Sequence, residues 1–230
     1  ADIEALARAA HDAGALPVVD AVSSLGAVPL ETDAWGLDVV VAGSQKALMG
    51  PPGAVFISVS GRAWEAVRRS RTPKLYFSFE RARDALGTGS SAFTPFTPAI
   101  PVVYALAVSI RMILGEGLPA RFARHRRLGQ TVRDGTASLG LDLLAHPRWA
   151  SDAVTAVRVP EGVVAKTLLR RLHTEHRVVL AGGQGRLEGR IFRIGHMGYV
   201  EERDLQVALG ALGDVLADLG YPVSRGVRVR

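Results

Sequence analysis

LPVVDAVSSLGAVPLETDAWGLDVVVAGSQKALMGPPGAVFISV, residues 16–59, contains three short apolar runs rich in β-branched residues. Residues 16–20, 37–42 and 54–59 show no alternation of polar and apolar side chains, the pattern of strands covered on both faces in a parallel sheet. The first two runs end in small or polar residues. Upstream of them, residues 1–13 have helical spacing that stops at Gly14. A helix that feeds directly into buried strands predicts an α/β layer architecture.

Outward from this stretch, Ser60 offers an N-cap to a helix over residues 61–71. Residues 87–96, rich in Gly, Ser and Thr, read as a loop. Thr97 and Pro98 read as N-cap and first residue of a long apolar helix reaching residue 114. Gly115 and Gly117 break it, and an amphipathic, strongly basic helix follows over residues 119–139. Then come a strand (153–159), a helix (162–177), strands near 178–180 and 191–194, and a closing helix (201–219). The expected division is therefore a first domain over residues 1–118 and a smaller α/β domain over residues 119–230. No initiator Met is present, and the helix at the very start suggests a chain that begins inside a domain.

Composition narrows the function classes. The 230 residues are 48% apolar, ample for a core. There is no cysteine, which removes disulfides, thiolate metal sites and a cysteine nucleophile. Charges, Gly and Pro interrupt every apolar run well short of the roughly 18–20 residues a membrane helix needs. Of the 28 basic residues only Lys46, Lys74 and Lys166 are lysines, leaving 25 arginines and a net charge of +6. The runs at Arg68–Arg71 and Arg124–Arg127 lie on helical patterns and read as solvated faces, not as a phosphate-binding stripe. A cytoplasmic protein without membrane or nucleic-acid partners is the expectation.

In open α/β sheets, reactive groups collect beyond the carboxyl ends of the strands. Asp20 closes the first strand, and Lys46 follows the second, 26 residues later. Side by side, those strands would present an acid and an amine to one crevice. Pyridoxal phosphate (PLP) requires that pair: its aldehyde condenses with a lysine amine, and a carboxylate keeps its pyridine nitrogen protonated. Either residue also has an ordinary role open to it, Asp20 as a turn or cap residue and Lys46 as a surface cation. The segment AGGQG at residues 181–185 lacks the Lys-Ser/Thr of a P-loop and reads as a turn. His125, His173, His176 and His196 have no metal-ligand spacing, and solvated or capping roles suffice for them.

The stretch DAVSSLGAVPLETDAWGLDVVVAGSQKALMGPPG, residues 20–53, resembles the cofactor-lysine region of class V aminotransferases, nearest the alanine-glyoxylate and serine-pyruvate group. The resemblance extends to IFRIGHMGYVEERDL, residues 191–205. It implies the C-terminal part of a PLP fold type I large domain, with a mostly parallel sheet, plus a small α/β domain. By the same resemblance Lys46 is the Schiff-base lysine and acid-base group, and Asp20 the pyridinium partner. Val22 packs against the ring, Gln45 lies by the cofactor phosphate, and Arg193 grips the substrate carboxylate. The setting of Arg193 between Phe192 and Ile194 further predicts a buried, paired charge.

FTPFTP, residues 93–98, resembles the family segment that reaches a neighbouring subunit's cofactor phosphate, with Thr94 and Thr97 as the contacts, and so implies a homodimer with a shared active site. The implied substrates are a small α-amino acid and an α-keto acid such as glyoxylate or pyruvate. The family's upstream Gly-rich phosphate turn and ring-stacking aromatic are not in this sequence. Two alternatives remain. One is a lyase-type enzyme of the same class; desulfurases generally use a cysteine and show His before the lysine, where Gln45 stands here. The other is a truncated, non-catalytic module that keeps the fold.

Overall fold

The computed structural model describes residues 1–87 and 93–223. Part of the expected loop, residues 88–92, lies outside the described residues. The chain divides into two compact units: residues 1–25 with 30–112, and residues 26–29 with 113–230. The division falls inside a helix, whereas the sequence reading put it in the Gly-flanked joint just beyond.

In the first unit, α1 (Ile3–Asp12) is capped by the Asp2 side chain, which accepts from Ala5 N, and ends before Gly14 at φ 72°. A three-stranded sheet follows, in the order β1 (Val18–Asp20), β2 (Val39–Gly43), β3 (Val55–Val59). β1 and β2 are parallel, with Val18 opposite Val39 and Asp20 opposite Val41. β3 runs antiparallel to β2, Gly43 opposite Val55 and Val39 opposite Val59. The third run was expected to be a buried strand; it is largely exposed, Val55 at 65%. The connection explains its direction. Residues 44–54 contain no helix and are too few for a parallel crossover, which takes about a dozen residues or more, so the chain turns back on itself.

Ala7 of α1 packs with Ala21, Leu37 and Val40, bordered by Val19, Leu25 and Trp35. Ser60 caps α2 (Gly61–Arg69) by accepting from Ala63 N, as its sequence position suggests. The same hydroxyl donates to Asp38, a buried carboxylate at the start of β2 that also takes Arg62 Nη1 at 3.3 Å. Arg68, Arg69 and Arg71 are exposed. A short helix not anticipated from the sequence, α3 (Phe79–Leu86), is capped by Ser78.

The long apolar helix α4 spans Ile100–Glu116. It starts two residues later than Thr97 and Pro98 suggested: Ile100 N donates to the carbonyl of Pro98, and Thr97 caps nothing. A helix apolar on all sides is normally enclosed, yet Val103, Tyr104, Val108 and Met112 are between 46% and 73% exposed. No single helix among the described residues is long and apolar enough to cross a membrane.

The second unit begins its helical part with α5 (Leu118–Ser138), which has Pro119 in its first turn. A second sheet has the order β4 (Val154–Arg158), β6 (Ile191–Gly195), β5 (Ala181–Gly182), antiparallel throughout. β5 therefore falls within the segment read as a turn, not at residues 178–180. The helices α6 (Ala165–His176) and α7 (Glu202–Asp218) complete the unit. Leu128, Val132, Val157, Leu168, Phe192, Ile194, Leu212 and Leu216 form its core.

Two groups in this unit depart from the solvated roles expected of them. Arg124 lies inside the protein, where its guanidinium donates to Glu116 Oε1 at 2.6 Å and to the carbonyls of Gly198 and Val200. His125 and His196 are fully buried. Both sit on the inner face of their elements, and each ring finds a carbonyl on one side and a donor on the other, which removes the need for water.

Candidate active site

The parallel pairing of β1 with β2 puts Asp20 and the segment leading to Lys46 beyond the same edge of the first sheet. Asp20 is exposed; its Oδ1 accepts from Val22 N at 2.9 Å. That is a turn role, and it coexists with a free second oxygen: Oδ2 has no hydrogen-bond partner among the described residues. The hydrogen bond also fixes the chain direction at Val22, two residues beyond the strand.

Lys46 sits in the β2–β3 connection, which is held from both ends. Ser44 is completely buried. Its hydroxyl donates to the carbonyl of Pro51 at 2.5 Å and accepts from Ala54 N at 3.3 Å, and its own carbonyl accepts from Gly50 N at 2.7 Å. Met49 takes a positive φ of 62°, unusual without glycine. Its carbonyl accepts from Ser109 Oγ of α4 at 3.2 Å. Lys46 thus projects from an anchored loop and is itself exposed, with no ion-pair or side-chain hydrogen-bond partner among the described residues. Sequence reasoning missed Ser44 and Ser109; the compact Ser44–Gly53 segment with two prolines was the available signal.

Gly43 joins two other predicted residues. A Cβ there would meet Gln45 Oε1 at 2.8 Å and Val22 Cγ1 at 3.5 Å, so the bare backbone of Gly43 makes room for both side chains. Asp20, Val22, Gln45 and Lys46 consequently share one end of one sheet. A carboxylate, an apolar side chain, an amide and an unpaired amine at that edge form a donor set that fits PLP.

Thr94 and Thr97 are both exposed, and Thr94 Oγ1 donates to the carbonyl of Phe96 at 2.7 Å, an ordinary turn contact. Arg193, in the second unit, departs from expectation. It is half-buried and pairs with no carboxylate among the described residues; its Nε donates to the carbonyl of Gly182 at 3.0 Å. The reason is the two-residue period of a strand: Phe192 and Ile194 face the core, so Arg193 faces the other way.

Electrostatic perturbation concentrates in the second unit. Hydrogen bonds from Arg124, then from Arg121, hold the Glu116 carboxyl down to about 2 against the opposing pull of burial. Arg121 is itself buried, donating to Glu116 Oε2 at 2.9 Å and to the carbonyl of Gly26 at 2.6 Å. His125 Nδ1 faces the carbonyl of Arg121 at 2.9 Å while Nε2 faces Gly198 N at 3.1 Å. Those partners fit a neutral ring protonated on Nδ1, and burial lowers its pKa. His196 faces Thr155 Oγ1 and the carbonyl of Asp152, and burial brings it down to about 4.

Comparison with known proteins agrees with this arrangement. The profile of the class-V aminotransferase family matches residues 1–187. The chain is 46% identical over 221 residues to the "Soluble hydrogenase, small subunit" of Synechococcus sp., covering 96% of this chain and 56% of that protein. It is 38% identical over 229 residues to the L-aspartate–glyoxylate aminotransferase of Paracoccus denitrificans, covering 98% of this chain and 57% of that one. The crystal structure of alanine–glyoxylate aminotransferase from Nostoc sp. superposes with a TM-score of 0.86 at 33% identity, over 93% of this chain and 57% of the other. The chain thus spans a little over half the length of these relatives. With the sheet that bears Asp20 and Lys46 and a profile match across most of its residues, the chain belongs to the class-V aminotransferase family.

Proposed function

We propose that this protein is a PLP-dependent aminotransferase that exchanges an amino group between a small α-amino acid and an α-keto acid, with glyoxylate the favoured acceptor. The observation that carries the reading is the placement of the unpaired Lys46 amine and the Asp20 carboxylate beyond adjacent parallel strands. Two of the relatives named above act on glyoxylate and differ in the donor, aspartate in one and alanine in the other. The donor is therefore assigned only as an α-amino acid.

PLP, when bound, supplies an electron sink for the electron pair left at the substrate α-carbon. The protein's own residues do the rest. Lys46 Nζ holds the cofactor covalently and then carries the proton between the substrate α-carbon and the cofactor C4′. Asp20 Oδ2 keeps the proton on the pyridine nitrogen, since a carboxylate beside a cation raises that cation's pKa. Val22 covers a ring face, and Gln45 lies near the phosphate. Arg193 takes the substrate carboxylate with its two terminal nitrogens, a bidentate pairing that fixes orientation as well as charge. Thr94 and Thr97 reach the phosphate in the neighbouring subunit of a homodimer; the exposed apolar sides of α4 support such an interface.

The name of the Synechococcus relative does not favour a hydrogenase reading, because these 230 residues contain no cysteine to bind a metal or iron–sulfur centre. The test is amino transfer itself. The PLP-loaded protein is supplied with glyoxylate and alanine, serine or aspartate in turn, and glycine formation is followed. Turnover with at least one donor, abolished in Lys46→Ala, is expected; equal turnover in the variant would remove the assignment.

A further inference from the structure

An arginine that grips a carboxylate must present both terminal nitrogens together, and a freely rotating side chain does not hold that direction. Arg193 is held by its inner nitrogen. Nε donates to the carbonyl of Gly182 at 3.0 Å, and no hydrogen bond engages Nη1 or Nη2 among the described residues. Gly182 belongs to β5, whose Ala181 is the register partner of Arg193.

The place of that carbonyl depends on the next residue. Gly183 N donates to the carbonyl of Ile191 at 3.0 Å, closing the β5 end against β6. A Cβ at Gly183 would lie 2.0 Å from the Leu187 carbonyl oxygen and 2.6 Å from its carbon. These are backbone atoms, which cannot swing aside as a side-chain tip can. Any substitution must force residues 183 and 187 apart and shift the adjoining Gly182 carbonyl.

We propose that Gly182 and Gly183 are positioning residues for substrate binding: the Gly182 carbonyl aims the Arg193 guanidinium so that Nη1 and Nη2 face a substrate carboxylate, and Gly183 is needed because a side chain there would displace that carbonyl. This rests on Arg193 as the carboxylate-binding residue. It gives the AGGQG segment a role that neither a phosphate loop nor a plain turn supplies.

The test compares Gly183→Ala with Gly185→Ala in the PLP-loaded protein. Gly185 lies in the same loop with φ +55° and open space around its Cβ, so its substitution strains the backbone without pushing on Leu187. Propionate serves as the carboxylate probe. Gly183→Ala is expected to raise the propionate inhibition constant and the substrate KM by about tenfold, with kcat within about twofold. Gly185→Ala should lower the melting temperature and leave the inhibition constant alone. An unchanged constant in Gly183→Ala, or an equal rise in both variants, overturns the positioning role. An unchanged constant in Arg193→Lys overturns the Arg193 reading itself, and with it this one.

Should Gly183→Ala fail to fold, the native protein decides. The Nε–H resonance of Arg193, assigned by its loss in Arg193→Lys, should exchange slowly with solvent before any ligand is added. Exchange at the rate of free arginine overturns the proposal.

Discussion

Asp20, the last residue of β1, is the register partner of Val41 in β2, five residues before Lys46. The acid and the amine therefore stand past the same edge of the sheet, and one Asp20 oxygen is already committed to Val22 N. Asp20→Asn separates the two jobs of the side chain. An amide oxygen can still accept from Val22 N, so stability should change by less than about 1 kcal/mol. The proton on the cofactor nitrogen loses its counter-charge, and kcat should fall by about 10²-fold or more. Steady-state kinetics beside a denaturant curve check this; an unchanged kcat would speak against the assigned role.

Ser44 is the anchor of the Lys46 loop, with its hydroxyl donating to Pro51 and accepting from Ala54 N. Ser44→Ala leaves buried backbone groups without partners and should cost about 1–3 kcal/mol. Urea unfolding measures that loss. PLP should also dissociate faster on dialysis, because the lysine rides on the loosened segment; identical retention would mean the loop is held by its other contacts alone.

Glu116 neutralises two arginines, one of them the buried Arg121. Glu116→Gln leaves that guanidinium without its counter-charge and should destabilise by about 2–4 kcal/mol. Its acid response has a definite sign. The folded pKa of about 2 lies below the ordinary carboxylate value, so this stabilisation is complete above about pH 4.5. It disappears as the pH falls through 2. The variant should lack that acid-dependent component in a pH series of unfolding curves.

His196 produces an earlier acid effect. Its folded pKa of about 4 lies below the ordinary 6.5, so the unfolded chain binds the proton first. Stability is full above pH 6.5 and falls as the pH drops towards 4, by up to about 3 kcal/mol. His125, lowered by burial as well, acts in the same direction. His196→Gln should flatten the stability curve between pH 6.5 and 4; a curve as steep as that of the native protein contradicts the assignment.

The sequence made the elements legible where local chemistry decides them. Ser60 capped its helix, Gly14 ended α1, and the runs at residues 16–20 and 37–42 became the parallel pair that carries Asp20 and Lys46. Properties set by partners distant in sequence were hidden. β3 was misread as one more covered strand, although a ten-residue connection without a helix already implied a hairpin. His125, His196 and Arg124 were assigned to water because a helical pattern says which face is apolar but not which polar group the core will accept. Thr97 had the chemistry of a cap, but α4 begins only at Ile100. For Arg193, burial was inferred from neighbours that a strand turns to the opposite face, and the contact that matters, the Gly182 carbonyl, arrives from another strand.

The most direct measurement is reduction of the PLP-loaded protein with borohydride, followed by digestion and mass spectrometry. The three lysines, Lys46, Lys74 and Lys166, give three possible sites in these residues. A pyridoxyl group on Lys46, with the other two unmodified, is the expected result. A pyridoxyl group on Lys74 or Lys166, or an unmodified Lys46 in a protein that retains PLP, would contradict the assignment of Lys46 as the cofactor-holding residue.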